Sequence, residues 1–232
     1  MKKEVWTSGD VTLYLGDCRV IVPGLKDVDA IVSDPPYGIG FQRGSGGRGI
    51  RPPNWKLCFG DDEPFDPSFL VALAGNEKEG RSARRPLVLL GADHYKERLP
   101  GGGSFLCWDK SCGQGPANTF SDAEFAWMNR RNARCIFHHF WMGALRSGEG
   151  NQNMRRRLHA QQKPVELMAW LMVTARIGLG KRVLDPFMGS GSTGIACVRT
   201  GRAFVGIEID REHFQVAKLR IRQVQQECGL TP

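Results

Sequence analysis

Hydrophobic and polar positions alternate over Val11 to Leu15 and stop at Gly16-Asp17, which predicts a half-buried strand closed by a turn. Further on, Asp29-Ala30-Ile31-Val32 and Pro86 to Leu90 are continuous apolar runs too short for helices, so they read as buried strands. Ser104 to Trp108, Ala123 to Met128 and Cys135 to Trp141 are three more strand candidates, separated by turn-forming or basic segments. From Pro164 the period changes. Leu167, Met168, Leu171, Met172 and Ala175 share one helical face, and Gly178 and Gly180 end that helix. Strand Arg182 to Asp185, a glycine-rich turn, a short helix to Gly201 and strand Ala203 to Ile209 follow. A last helix is N-capped by Asp210 and buries Phe214, Ala217, Ile221 and Val224. Strands alternating with helices in the final third predict an α/β fold with a parallel sheet, where ligands sit beyond the carboxyl ends of the strands.

Two segments break this pattern. Gly38 to Arg51 holds six glycines, three arginines and no acidic residue, a composition that builds no core, and we expect a mobile Gly/Arg loop over 38–60. Residues 143–162 are polar and basic, with Arg146, Arg155, Arg156 and Arg157 against Glu149, and read as a linker or binding surface. At 232 residues, the chain suits one substantial domain over 1–232. Lys+Arg 32 against Asp+Glu 24 gives a net charge of +8, which favours a polyanionic partner. No apolar run approaches a membrane span and the N-terminus lacks the core of a secretion signal, so a cytoplasmic location is expected. The seven cysteines are scattered without a C-x-x-C pair, and we read them as reduced thiols, mostly core filler; no metal site is indicated.

Two motifs carry chemistry. Gly189-Ser190-Gly191-Ser192-Thr193-Gly194 matches G-x-G-x-x-G, with Glu208 nineteen positions on at the end of the next strand. Such glycines let backbone approach a ligand, and the acid can accept both hydroxyl protons of a ribose. The absence of a following Lys excludes a P-loop of the usual form, leaving a dinucleotide or S-adenosylmethionine. Asp185 before the turn suits a cationic amino acid moiety better than a diphosphate. The other motif, Asp34-Pro35-Pro36-Tyr37, follows a buried strand directly. Its carboxylate and a proline-fixed carbonyl can accept the two hydrogens of an exocyclic amine, while Tyr37 offers a face for an extruded base.

Together, Asp34-Pro35-Pro36-Tyr37 and Asp185-Pro186-Phe187-Met188-Gly189-Ser190-Gly191-Ser192-Thr193 resemble the amino-methyltransferases of DNA, which methylate adenine N6 or cytosine N4. The catalytic segment precedes the cofactor turn by 151 positions, an order similar to the permuted β group of that family. The resemblance implies a Rossmann-like methyltransferase fold with a largely parallel, mixed seven-stranded sheet flanked by helices. It implies S-adenosylmethionine as cofactor, double-stranded DNA as partner, and a place in DNA methylation or restriction–modification.

Carried over by residue, it makes Asp34, Pro35, Pro36 and Tyr37 the holders of the target base. Asp185, Phe187, Gly189, Gly191, Ser192 and Thr193 would bind the methionine part of the cofactor, Glu208 the ribose, Asp17 the adenine end, and His159 with Lys163 the closing segment. The family's separate recognition domain has no counterpart, because only about twenty residues separate the last strand from the cofactor half. DNA contacts are therefore expected from loops: Arg43, Arg48, Arg51, Arg130, Arg131, Arg155, Arg156 and Arg157, with the stretch from Arg81 to Arg85 as a further candidate. A homodimer is a plausible source of additional contacts. An initial Asp favours adenine N6. Cytosine N4, RNA or protein amines, a nicotinamide oxidoreductase, and a non-catalytic nucleic-acid-binding subunit are the alternatives.

Overall fold

The computed structural model describes residues 4–38, 60–75, 84–113, 121–132, 135–142, 145–146 and 162–230. Its main sheet contains strands β1 (Glu4–Ser8), β2 (Val11–Leu15), β3 (Ala30–Ser33), β4 (Leu87–Leu90), β5 (Ser104–Asp109), β6 (Ala123–Met128) and β7 (Ile136–His138). After the two-stranded ribbon of β8 (Trp141–Met142) and β9 (Leu145–Arg146), it is completed by β10 (Arg182–Asp185) and β11 (Ala203–Glu208). The spatial order is β1-β2-β11-β10-β3-β4-β6-β5-β7. Strands β2, β11, β10, β3 and β4 are mutually parallel, and β6 runs antiparallel between β4 and β5.

This is nine strands where seven were expected. The first addition is β1, which hairpins onto β2 with Gly9 at φ +52°, in the left-handed region that glycine tolerates. The second is β7, paired in parallel with β5 at the other edge. The apolar stretch Cys135 to Trp141 is not one strand: pairing with β5 ends at His138, and Trp141 turns away into the ribbon.

Successive residues of the central strands point to opposite faces. Ala30, Val32, Val88, Leu90, Val183 and Phe204 enter one core, beneath α3 (Val165–Thr174), α4 (Ser192–Arg199) and α5 (Arg211–Glu227). Ile31, Leu87, Leu89, Leu184, Val205 and Ile207 enter the other, under α1 (Cys18–Ile21) and α2 (Ser68–Ala74). Helix α5 buries Phe214, Ala217, Ile221 and Val224, the stripe anticipated from its period, and its cap is Asp210, whose carboxylate accepts from the Glu212 and His213 N–H groups. Two of the six described cysteines, Cys18 and Cys197, are core filler; Cys112 and Cys228 are exposed. Among the described residues no helix is long and apolar enough to cross a membrane.

The connectivity fixes where a ligand fits. From β3 the chain proceeds outward to β4, and from β10 it proceeds outward in the other direction to β11, while β3 and β10 are neighbours. Crossovers leaving in opposite directions open a crevice beyond the carboxyl ends of these two strands.

Candidate active site

Both sequence motifs emerge at that crevice, one from β3 and one from β10. Ser33 Oγ, the last group of β3, donates to Asp185 Oδ1 at 2.6 Å, so residues 152 apart in sequence share one buried hydrogen bond. Thr193 Oγ1 takes the other carboxylate oxygen at 2.6 Å and the Phe187 N–H adds a third bond at 3.1 Å. Burial nevertheless raises Asp185 to about 6, with the three donors pulling the other way. Asp185 is 2% exposed and its oxygens are engaged within the protein, so it braces the turn and the catalytic segment against each other.

Next to it lies a cavity of about 480 Å³, lined by Asp34 and Pro36 from the catalytic segment, by Phe187, Gly189, Ser192 and Thr193 from the turn, and by Asp17, Lys163 and Glu208. That volume suits a cofactor-sized molecule. Residues 62–66, Asp62-Glu63-Pro64-Phe65-Asp66, form one wall. The wall is anchored where the Gly38 N–H donates to Asp61 Oδ1 at 2.9 Å, and Phe65 meets Phe187 edge-on at 5.6 Å. The lining holds eight carboxylates against Arg19 and Lys163 as its Lys and Arg cations. Such a surplus attracts a cation and repels a pyrophosphate, which separates the two cofactor readings in favour of the sulfonium one.

Glu208 ends β11, where its Oε2 accepts from the Gly189 N–H at 3.0 Å and its Oε1 from the Asp210 N–H at 2.8 Å. The Ile209 N–H is a third backbone donor to this carboxylate. Burial raises Glu208 to about 7 against these backbone donors. Asp17 caps α1 and pairs with Arg19 Nη2 at 2.7 Å, which holds its carboxyl below the ordinary range.

The hydroxyls and two glycines of the segment Gly189 to Gly194 serve packing more directly than binding. Ser192 Oγ donates to the Lys163 carbonyl at 2.8 Å. A Cβ on Gly191 would stand 3.0 Å from Ala217 Cβ, and one on Gly194 would stand 2.6 Å from Ile221 Cδ1. These two glycines admit α5, and among the six residues assigned to methionine binding Gly191 does not line the cavity.

The catalytic segment is held more tightly than its sequence suggests. Asp34 Oδ1 accepts from the Tyr37 hydroxyl at 2.6 Å, and Oδ2 pairs with Lys163 Nζ at 3.0 Å. The Tyr37 ring stacks on His94 with centroids 5.0 Å apart, lies 5.3 Å from the Lys163 ammonium, and covers Gly91 so closely that a Cβ there would fall 2.0 Å from the ring. Pro35 is buried. Lys163 lines the cavity, and its ammonium reaches Asp34 and, at 3.3 Å, Glu124. Burial pushes Asp34 above the usual carboxylate range, with Lys163 and Tyr37 opposing it. Lys163 itself is held protonated: burial lowers it, and the Asp34 and Glu124 carboxylates more than reverse that.

Arg130 and Arg131 are not at this site. They follow β6, which runs antiparallel to β4, and Asn129 N–H donates to the Leu87 carbonyl at the start of β4, so both arginines sit at the sheet end opposite Asp34. Arg130 Nη1 there donates to the Ala175 carbonyl at 3.3 Å, at the end of α3. Arg85 shares that end through the Val28 and Leu73 carbonyls, at 2.7 and 2.6 Å. Arg43, Arg48, Arg51, Arg155, Arg156, Arg157 and His159 lie outside the described residues.

Three contributors escaped the sequence reading: Glu124, Lys110 and the acidic wall 62–66. A lone acid within the apolar strand Ala123 to Met128 and an acidic run in a basic chain were the available signals.

Comparison with known proteins agrees with this geometry. Residues 108–219 match the family model described as DNA methylase, a span that includes the glycine turn and stops short of Asp34. Over 63 residues the chain is 40% identical to Type II methyltransferase M2.DpnII of Streptococcus pneumoniae, and over 65 residues 38% identical to Type II methyltransferase M2.LlaDCHI of Lactococcus lactis subsp. cremoris. Those matches cover 27% and 28% of this chain and span under a quarter of each relative, 23% and 24%. The crystal structure of an M1.HpyAVI–SAM complex superposes with a TM-score of 0.55 at 26% identity, covering 91% of this chain and 98% of that one. The PvuII DNA methyltransferase (cytosine-N4-specific) superposes at 0.59 with 12% identity over 96% and 94% of the two chains, a likeness of fold.

Proposed function

We propose, from the match of residues 108–219 to the DNA methylase family model, that this chain methylates adenine N6 of a base flipped out of duplex DNA. The observation that carries the reading is the buried Ser33–Asp185 hydrogen bond of 2.6 Å, which joins an amine-accepting segment to an acid-lined cofactor cavity. S-adenosylmethionine, when bound, supplies an electrophilic methyl group on a sulfonium. Glu208, which lines the cavity at the end of β11, would hold its ribose through its carboxylate, and the carboxylates of the wall and of Asp17 would favour its positive charge.

What remains is done by this chain's own side chains. A ring amine is a weak nucleophile because its lone pair is delocalised. Asp34, kept anionic by Lys163, accepts an amine hydrogen and so favours the pyramidal nitrogen. For that bond to form, the target amine displaces the Tyr37 hydroxyl from Asp34 Oδ1, and the Tyr37 ring offers the base a stacking face. The amine proton departs during or after transfer, with Asp34 as the nearest acceptor. Phosphates are contacted by Arg43, Arg48, Arg51, Arg155, Arg156 and Arg157. An Asp at position 34, where a Ser would favour cytosine, supports adenine.

The test is transfer of labelled methyl to duplex DNA, single-stranded DNA and RNA offered in parallel. Duplex DNA is expected to be labelled; label on RNA alone, or retention of NAD in place of S-adenosylmethionine, would refute the assignment.

Glu208 gives this reading a pH signature. An ionised carboxylate accepts two hydroxyl protons and attracts a cation, whereas a protonated one does neither as well. With Glu208 at about 7 in the ligand-free protein, binding favours the deprotonated form. Affinity for S-adenosylmethionine is therefore expected to fall as pH drops below 7, by up to about tenfold per unit where this group dominates. Calorimetric titration from pH 8 to pH 5.5 measures it, and Glu208→Gln should bind weakly with a flat profile.

A further inference from the structure

Behind Asp34 stands a line of alternating charges, of which the transfer reaction uses Asp34 and Lys163 alone. Lys163 Nζ is 3.0 Å from Asp34 Oδ2 and 3.3 Å from Glu124 Oε2, and Lys110 Nζ is 3.1 Å from Glu124 Oε1. The two lysine side chains are 10% and 11% exposed, so neither is an incidental surface pair. They come from separate elements: Asp34 follows β3, Glu124 is in β6, Lys110 follows β5 and Lys163 precedes α3. Glu124 and Lys110 do not line the cavity, which removes them from direct contact with a cofactor. Tyr37 faces Asp34 from its own segment, Asp185 from β10 and Tyr95 from the turn after β4, where His94 stacks on Tyr37.

We infer that Glu124 is a positioning residue for methyl transfer: it shares the Lys163 ammonium with Asp34, and Lys110 sets how much of that ammonium it takes. An ammonium given wholly to Asp34 would fix the carboxylate in one ion pair and weaken it as an acceptor for the amine hydrogens. A second carboxylate on the same ammonium leaves Asp34 charged and basic. It also keeps Lys163 paired when Asp34 receives the amine proton. The arrangement of two carboxylates and two ammoniums is neutral overall, so its members can be buried together.

Glu124→Gln removes a negative charge and leaves Lys163 to Asp34 alone, so Asp34 ionises at lower pH. Lys110→Met removes a positive charge, turns Glu124 further toward Lys163, and makes Asp34 ionise at higher pH.

This inference rests on the proposed amine methylation and is tested with the full chain by recording kcat/KM against pH for wild type and both variants. The acidic limb should move down by about one pH unit in Glu124→Gln and up by a smaller amount in Lys110→Met. At pH 8, kcat of Glu124→Gln should fall about fivefold with cofactor affinity unchanged, since a less basic acceptor is a poorer one. Should Glu124→Gln not fold, Lys110→Met alone decides by the direction of its shift. Limbs superimposable on wild type overturn the inference and leave the methyltransferase reading intact; a wild-type protein that methylates no nucleic-acid amine overturns both.

Discussion

Asp34→Ala loses methyl transfer, with kcat reduced by at least about 10²–10³-fold, the effect of deleting one preorganised polar group from a reaction centre. The same variant keeps its affinity for S-adenosylmethionine within about threefold, because the cofactor-facing groups Glu208 and Asp17 are held by the Gly189, Asp210 and Arg19 N–H groups and not by Asp34. The split between turnover and binding is what distinguishes an amine acceptor from a structural carboxylate. It is read by pairing single-turnover kinetics with calorimetry. An equal loss of both would assign Asp34 to the cavity's architecture. Asp34→Asn should fall close to the alanine variant, since an amide keeps the shape and loses the charge that Lys163 balances.

The other large effect comes from a residue with no chemistry of its own. Gly91 has φ +63°, and an added Cβ would lie 2.0, 2.3 and 2.4 Å from three atoms of the Tyr37 ring. Gly91→Ala therefore cannot keep Tyr37 where it stacks on His94 and bonds Asp34. Displacing it by about 1 Å or more should lower kcat by about 10²-fold. Overpacking and the left-handed backbone together should destabilise the fold by about 1–3 kcal/mol. Gly101→Ala is the matched control: open space surrounds its Cβ, and both activity and melting temperature should stay near wild type. A Gly91→Ala enzyme of normal turnover would show that Tyr37 does not act from its observed position.

Elements with long periods are legible in the sequence alone. Helix α5 repeats its apolar stripe over 17 residues, and the unit from β10 to β11 carries a strand, glycines and a strand in fixed order. Short or ambiguous pieces are not. Helix α1 has four residues, less than a period repeats over, and α2 is the short apolar run Ser-Phe-Leu-Val-Ala-Leu-Ala, which a strand would fit as well. Strand β1 has a half-exposed edge pattern, and its usable signal was the Gly9-Asp10 turn.

The site shows the same division. Asp34, Asp185 and Glu208 were legible because each ends a strand that the hydrophobic pattern marks, and parallel strands carry their ends to one edge. The partners of Lys163 were not, since its pairing with Glu124 depends on the antiparallel turn of β6, which no local period records. That same reversal puts Arg130 and Arg131 at the sheet end opposite Asp34. Arginine counts report charge, and strand direction decides where it is presented.

The most direct measurement is nucleoside mass spectrometry of unmethylated genomic DNA after incubation with S-adenosylmethionine and the full chain, with Asp34→Ala as control. N6-methyladenine is expected in the wild-type digest and none with the variant. A digest without any methylated nucleoside, from protein that binds the cofactor, would contradict the proposed function; N4-methylcytosine in place of N6-methyladenine would keep the chemistry and overturn the choice of base.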